Sequence, residues 1–200
     1  MNREPEPKII RRTFAKRITA AGGVSNPRVE AAFAVVARED FHRARAVADR
    51  ALGRRLSHDA GFRPGLPTPT DVIGILPERN LNNGPPSIHA ALIAAATAPQ
   101  LGEQVVDLGA GVGYYTAILA ELIGATGGRV TTIEFHAELA ARATVSFAQT
   151  PHIRAAHGDG TRVMFETGRR RAAAIFAAVA AGRYPRTRLP RRGRAADDPG

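Results

Sequence analysis

The residues of this sequence with the clearest chemical meaning form a glycine-rich run after an apolar segment. Gly109, Gly111 and Gly113 are spaced two apart and directly follow residues 104–108. Glycine has no Cβ and accepts a positive φ, so a strand that ends in alternating glycines can turn sharply and let its backbone approach a ligand closely. This run, with Ala110 inside it, predicts a cradle for a cofactor.

The spacing of the glycines bears on the kind of cofactor. A dinucleotide fingerprint has a third glycine or alanine three residues after the second, but that place holds Tyr114 here. The third glycine comes one residue early, at Gly113, and produces an acidic-x-Gly-x-Gly-x-Gly pattern that begins at Asp107. This pattern resembles the first motif of class I S-adenosylmethionine (SAM) methyltransferases, in which the loop lies against the methionine part of SAM.

Two carboxylates downstream complete the candidate cofactor site. Glu134 closes a β-branched segment, and a carboxylate at the carboxyl end of a parallel strand can accept both ribose hydroxyls. The interval from Gly113 to Glu134 would also suit a dinucleotide, so Glu134 alone does not discriminate. Asp159 and Gly160 follow a third candidate strand, and in the resembling family this acidic turn faces the adenine amino group.

Strands alternate with helices around these residues. We predict a helix that begins at Asn26-Pro27, because asparagine caps helices and proline suits their first position. Further along, strands are predicted at 104–108, 129–134 and 153–157, with helices at 87–97, after Gly113 and near 137–147. The alternation implies right-handed crossovers and a parallel sheet. The predicted fold class is α/β, a Rossmann-like doubly wound sheet of the class I methyltransferase type that lacks its last strands.

Two motifs outside the glycine run make the resemblance more specific. The segment Ala37-Arg38-Glu39-Asp40-Phe41 is similar to the amino-terminal signature of the protein-L-isoaspartate O-methyltransferase family, with alanine in place of the usual proline. The helix after Gly113 and the turn at 158–160 are also similar to that family, so the resemblance covers roughly residues 28–160. It implies transfer of a methyl group from SAM to a free carboxylate on damaged protein.

The substrate side departs from the family pattern. The family carries Thr-x-Ser-Gln-Pro before the helix that leads to the glycine run, whereas residues 82–86 read Asn-Asn-Gly-Pro-Pro. Asn82, Asn83 and Ser87 are the candidates for contacting the methyl acceptor, although asparagines are more often turn residues. His89 could touch the substrate, but a packing role is the commoner use. Residues 61–86, with six prolines and four glycines, are predicted to be a long loop with one edge strand at 72–76.

The resemblance stops after Gly160. Residues 168–200 are rich in alanine, arginine, glycine and proline, where the family continues with an apolar strand. We predict a basic tail with an alanine-rich helix at 170–181 and disorder over 183–200. The abrupt change motivates the hypothesis that a shifted reading frame produced the tail, with an ordinary basic extension as the alternative. The predicted regions are 1–100 (helical region and substrate loop), 101–167 (SAM-binding core) and 168–200 (tail).

Composition and charge limit the remaining possibilities. The net charge of +10 lies mostly in the tail, because residues 169–200 hold nine arginines against two aspartates. The chain has no cysteine, which excludes a thiolate metal site and fits a reducing compartment. No histidine shows metal-ligand spacing, so we predict no metal. No apolar stretch approaches the ~20 residues that cross a bilayer, so we expect a soluble cytoplasmic protein with no membrane partner.

Three functions stay open on the sequence alone. The leading one is a SAM-dependent carboxyl methyltransferase that acts on a protein or peptide. An inactive or truncated homologue that has lost activity is the second. The third is a nucleic-acid-binding protein that acts through its arginines, but one tyrosine and one phenylalanine in the tail offer little stacking, which argues against this reading.

Overall fold

The structure is a computed structural model that describes residues 6–41, 72–96, 99–160 and 174–175. The helices are α1 (Glu6–Ala21), α2 (Pro27–Val35), α3 (Pro86–Ala96), α4 (Tyr114–Ile123) and α5 (Ala137–Ser146). The strands are β1 (Gly74–Leu76), β2 (Leu81–Asn82), β3 (Gln104–Leu108), β4 (Arg129–Glu134), β5 (Ile153–His157) and β6 (Ala174–Ile175). A short 3-10 helix, Pro77–Arg79, joins β1 to β2. From β3 to β5, strands and helices alternate as the sequence predicts.

Strands β3 to β6 form one parallel sheet in the order β5-β4-β3-β6. The pairing of β3 with β4 is unbroken from Gln104 opposite Arg129 to Leu108 opposite Ile133. Since β4 and β5 lie on one side of β3 and β6 on the other, the strand order reverses at β3. Ligands of open α/β sheets bind beyond the carboxyl ends of the strands at such a reversal. The glycine run begins at this point, and the predicted α/β fold class is confirmed.

The helices cover one face of this sheet. Right-handed crossovers that run in the same direction place α4 and α5 on the same side. On that side Val105, Val130 and Ile153 stand in register and are buried. Helix α1 packs against α2 and α3, and α2 packs against α4. A continuous apolar core therefore lies beneath the start of the glycine run.

Helix α2 begins where the sequence predicts. The Asn26 side chain accepts hydrogen bonds from the backbone N–H groups of Arg28, at 3.0 Å, and Val29, at 3.4 Å. Pro27 occupies the first helical position, where a missing N–H has no consequence. The cap holds Val29 and Phe33 in the core, where both are fully buried.

A two-stranded hairpin covers the glycine run. The predicted edge strand is β1, and it pairs antiparallel with β2, a strand that the sequence analysis did not predict. Ile75, Leu76 and Leu81 of the hairpin form an apolar cluster with Val112 and Leu139. Residues 61–71 of the predicted loop lie outside the described residues.

The strand β6 corrects one prediction about the tail. Ala174 and Ile175 pair parallel to Val106 and Asp107 of β3, so the helix predicted over 170–181 is wrong at these two residues. Pairing with the open edge of β3 provides hydrogen-bond partners for the backbone N–H and C=O groups of these residues. The helix propensity of alanine is too weak a preference to outweigh this pairing. The rest of the tail lies outside the described residues, and the hypothesis about its reading frame stays a prediction. No helix within the described ranges has the length and apolarity of a membrane span.

Candidate functional site

The three glycines of the run all adopt a positive φ. Their φ angles are 83° at Gly109, 55° at Gly111 and 96° at Gly113. A Cβ at Gly111 would lie 2.9 Å from the Cδ1 of Ile75, and a Cβ at Gly113 would lie 2.7 Å from two ring carbons of Phe147. Conformation and close packing against Ile75 and Phe147 therefore both require glycine at these positions.

The glycine run is fastened to the end of β4. The backbone N–H of Gly109 donates to the carbonyl of Ile133 at 2.7 Å, and the N–H of Gly113 donates to the carbonyl of Ala110 at 2.8 Å. Between them, the N–H of Gly111 donates to a carboxylate oxygen of Glu134 at 2.8 Å. The loop is thus held by hydrogen bonds along its length.

Glu134 lies in the middle of the predicted cofactor residues. Its side chain is only 6% exposed, and each oxygen accepts one backbone hydrogen bond. One bond comes from Gly111 and the other from His136, at 2.8 Å. A carboxylate oxygen has a second lone pair, so both oxygens keep capacity for a further donor.

Asp107 is placed more deeply than the sequence suggests. Its carboxylate is buried in the layer between the sheet and α4, where it accepts hydrogen bonds from Thr116 at 2.5 Å and Thr132 at 3.1 Å. Burial raises the pKa of Asp107 to about 6; the two threonine hydrogen bonds lower it, and the negative charge of Glu134 raises it further. Asp107 therefore joins β3, β4 and α4 directly beneath the glycine run.

The turn at 158–160 lies beside the same strand ends. The N–H of Gly158 donates to the backbone carbonyl of Glu134 at 3.0 Å. A Cβ at Gly160 would lie 3.0 Å from a methyl carbon of Leu108, the last residue of β3. Asp159 is half-buried between these two glycines. We call residues 109–113, Glu134 and the turn 158–160 the cofactor edge, because one sheet edge brings all of them together.

Residues 37–41, the segment similar to the family's amino-terminal signature, pack against aromatic side chains next to the glycine run. Arg38 is buried over the rings of Phe14 and Tyr114, at 5.5 and 5.9 Å from their centroids. Phe41 lies against Tyr114 and Phe147, with ring centroids 5.9 and 6.1 Å apart. These contacts hold the ring of Phe147, which lies against Gly113.

The candidate acceptor residues lie on residues 82–87, which we call the acceptor loop. Asn82 is exposed, and its side-chain oxygen accepts the N–H of Gly84 at 2.9 Å, as in an Asx turn. Asn83 is buried, and it exchanges two hydrogen bonds with the backbone of Ile73. Ser87 is buried in the first turn of α3, where its backbone packs against Gly22. Both asparagines therefore hold turns together.

Some residues at the site are visible only in three dimensions. The hydroxyl oxygens of Thr116 and Thr132, which both donate to Asp107, lie 3.2 Å apart. His89 stacks on Tyr115, which no local pattern of the sequence predicts. Within the described ranges there is no cluster of histidine, aspartate and glutamate suited to a metal ion.

The fold and the cofactor edge define a Rossmann-like domain of the class I methyltransferase type. The sequence model of the family "Protein-L-isoaspartate(D-aspartate) O-methyltransferase (PCMT)" matches residues 79–190, more than half of the chain. The chain therefore belongs to the protein-L-isoaspartate O-methyltransferase family. The match extends beyond residue 160, the position at which the resemblance was predicted to end.

Two curated relatives are similar to parts of the chain. The protein-L-isoaspartate O-methyltransferase of Aeropyrum pernix is 43% identical over 67 residues, which is 32% of this chain and 25% of that protein. Protein-L-isoaspartate O-methyltransferase 1 of an Anaeromyxobacter species is 34% identical over 154 residues, or 72% of this chain and 58% of that protein. The chain thus spans a quarter of the length of the Aeropyrum protein and somewhat over half of the length of the Anaeromyxobacter protein.

Solved structures agree on the fold. A protein-L-isoaspartate O-methyltransferase superposes with a TM-score of 0.56 at 18% identity, over 75% of this chain and 42% of that one. A putative protein-L-isoaspartate O-methyltransferase from Plasmodium falciparum, solved with S-adenosyl-L-homocysteine, has a TM-score of 0.56 at 14% identity. That comparison covers 77% of this chain and 65% of the Plasmodium protein.

Proposed function

We propose that this chain binds SAM at the cofactor edge and transfers its methyl group to a carboxylate of a protein or peptide. Membership of the family supports the reaction type. The observation that carries the proposal is the Glu134 carboxylate, held 2.8 Å from the Gly111 N–H at the end of β4. Two fixed carboxylate oxygens at the carboxyl end of a parallel strand suit the two hydroxyls of an adenosyl ribose.

The residues of the cofactor edge fit this ligand. The positive φ angles of Gly109, Gly111 and Gly113 turn the backbone sharply after β3, and this turn would lie against the methionine part. The spare lone pairs of Glu134 would accept the ribose hydroxyls, and Asp159 with Gly160 would receive the adenine. Asp107 would act from below by holding the start of the run. When bound, SAM supplies an electrophilic methyl group on a sulfonium sulfur.

The chain's own contribution is positioning. A carboxylate acceptor, with an ordinary pKa of about 4, is already ionised at neutral pH and needs no general base. Rate enhancement then comes from alignment of the two reactants and exclusion of water. On the acceptor side we propose Asn83 and Ser87, with the exposed Asn82 at the rim. The buried Nδ2 of Asn83 has no hydrogen-bond partner among the described residues and could donate to a carboxylate.

The proposed acceptor is an isoaspartyl residue in damaged protein, as the names of the relatives suggest. Because Asn82, Gly84 and Pro85 replace the residues usual in the family, the acceptor needs its own test. A cytoplasmic location is part of the proposal and rests on the lack of cysteine.

Calorimetric titration with S-adenosyl-L-homocysteine, the demethylated product, tests the cofactor part. We expect saturable heat with the unaltered chain and a loss of affinity of about tenfold or more in Glu134→Ala, which corresponds to removal of hydrogen bonds to a charged group. Glu121→Ala, an exposed glutamate of α4, is the matched control and should bind normally. Absence of heat with the well-folded, unaltered chain would refute the proposal.

Methylation of a peptide tests the acceptor part. With radiolabelled SAM, we expect label in a peptide that contains isoaspartate and none in the same peptide with ordinary aspartate. Binding without any transfer would identify an inactive homologue. Salt-sensitive binding of RNA without binding of the cofactor product would favour the nucleic-acid alternative.

A further inference from the structure

An aromatic stack joins the acceptor loop to the cofactor edge. The imidazole of His89 lies flat on the phenol ring of Tyr115, with centroids 3.6 Å apart and planes 12° from parallel. His89 belongs to the first turns of α3, directly after the acceptor loop. Tyr115 is the second residue of α4, directly after Gly113. Each ring therefore sits on the helix that begins where one of the two candidate ligand segments ends.

The acceptor loop is shaped around this stack. The Tyr115 hydroxyl donates to the backbone carbonyl of Gly84 at 3.3 Å. Gly84 has a φ of 68°, and a Cβ there would lie 2.6 Å from Nε2 of His89. The two rings and Gly84 consequently fix one another, and any side chain at position 84 would displace the imidazole.

If packing were its only role, the imidazole of His89 would cost more free energy than an apolar ring at the same position. Its Nδ1 is buried and has no hydrogen-bond partner among the described residues, and a buried nitrogen left unpaired costs about 1–3 kcal/mol. Burial lowers the pKa of His89 to about 4, so the ring is neutral near pH 7. A phenylalanine would stack on Tyr115 without either penalty. An unsatisfied buried polar group in a folded protein calls for an explanation, and a functional role is one.

We propose that His89 and Tyr115 are positioning residues that transmit occupancy of the cofactor edge to the acceptor loop. This inference rests on the proposed function. A ligand against residues 109–113 fixes the first turn of α4, and with it the Tyr115 ring. The stack and the hydroxyl bond to Gly84 then hold the acceptor loop in the arrangement that receives the carboxylate.

Hydrogen exchange of the acceptor loop tests this coupling without any need for turnover. Exchange of peptides spanning residues 82–89 is measured with and without saturating S-adenosyl-L-homocysteine, and calorimetry on the same samples confirms occupancy. We expect the ligand to slow exchange in the unaltered chain about fivefold or more, a typical coupling between two sites. His89→Phe, which keeps a flat ring, should retain this protection.

Loss of the stack should remove the protection while leaving the ligand bound. We expect this result for His89→Ala, and for Tyr115→Leu as a second variant in case the first unfolds. His152→Ala, a histidine outside the site, is the matched control and should behave like the unaltered chain.

The outcomes separate the two proposals. If the His89→Ala and Tyr115→Leu variants bind the ligand and still protect the loop, the stack has only a packing role and the inference is wrong. If the unaltered chain binds no ligand, the proposed function fails and takes the inference with it. In a methylation assay, the inference further expects these two variants to raise KM for the peptide more than they change kcat.

Discussion

The cofactor edge and the acceptor loop differ in how completely their polar groups are paired. At the cofactor edge the N–H of Gly111 and both oxygens of Glu134 are hydrogen-bonded, and side chains pack closely against Gly111 and Gly113. Within the acceptor loop, Nδ2 of Asn83 is buried without a partner among the described residues.

This difference indicates which half of the site is ready before a ligand arrives. A loop with paired groups and close packing keeps its shape, so the cofactor edge is preorganised. Buried polar atoms without partners favour a rearrangement or a ligand that pairs them. We therefore expect substitutions at the cofactor edge to act mainly on folding and cofactor binding, and those at the acceptor loop to act mainly on the acceptor.

The largest expected effect comes from filling the space at Gly113. Gly113→Ala combines a left-handed backbone with a Cβ 2.7 Å from Phe147, so we expect the free energy of unfolding to fall by about 4 kcal/mol. Gly23→Ala is the matched control, because its φ is 65° but a Cβ there would have no neighbour within 4 Å in the described part of the chain. Urea denaturation measures both. Equal losses in the two variants would show that packing at Gly113 contributes nothing.

The next effect concerns the charge beneath the cofactor edge. The pKa of Asp107 is about 6 in the folded chain against an ordinary 3.8, so between these values the folded state holds a proton that the unfolded state has lost. The free energy of unfolding should therefore fall as the pH rises from about 4 to about 6, by about 3 kcal/mol for this group.

Asp107→Asn keeps an oxygen for the two threonines and removes the charge. We expect this variant to lose the decrease between pH 4 and 6 and to be more stable than the unaltered chain at pH 7. Denaturation at a series of pH values provides the measurement. If the free energy of unfolding depends on pH in the same way in both chains, Asp107 is not the origin of the decrease.

A smaller effect is expected at the acceptor loop. Asn83→Ala leaves the buried N–H of Ile73 without its side-chain acceptor, so the free energy of unfolding should fall by about 2 kcal/mol. Asn82→Ala removes only an exposed turn contact and should lose less than half of that. Because coupling between two sites is reciprocal and about fivefold is expected here, both variants should change the affinity for S-adenosyl-L-homocysteine by about fivefold at most. A much larger loss of affinity would show that the cofactor edge is not preorganised without the acceptor loop.

The smallest effect lies away from both regions. The Arg28 guanidinium donates to the carbonyls of Leu122, at 2.7 Å, and Pro99, at 2.9 Å, and so joins α2 to the end of α4. Arg28→Ala should lower the free energy of unfolding by about 1 kcal/mol, whereas Arg129→Ala, on an exposed strand residue, should leave it unchanged. Thermal denaturation and ligand titration together would show whether lost stability alone alters cofactor binding.

Local sequence determined the elements that carry the cofactor edge. The strands at 104–108, 129–134 and 153–157 were predictable from local sequence, because each short run ends at or before a glycine or an acidic residue. The first two also contain several β-branched residues, which favour strands. The start of α2 at Asn26-Pro27 was equally local, because capping is a contact between neighbours. The position of the glycine run and Glu134 at one edge of the sheet followed from the prediction of parallel strands, whereas the hydrogen bond from Gly111 to Glu134 did not.

The remaining features depended on contacts between distant parts of the chain. The strands β2 and β6 are two residues long, so no periodicity indicates them, and each exists through pairing with a partner strand. The burial of Asp107 among two threonines and the stack of His89 on Tyr115 join residues from separate elements. Sequence by itself therefore decided the fold class and the place of the cofactor edge. Only the tertiary structure decided which polar groups are paired, because burial and pairing arise when distant surfaces meet.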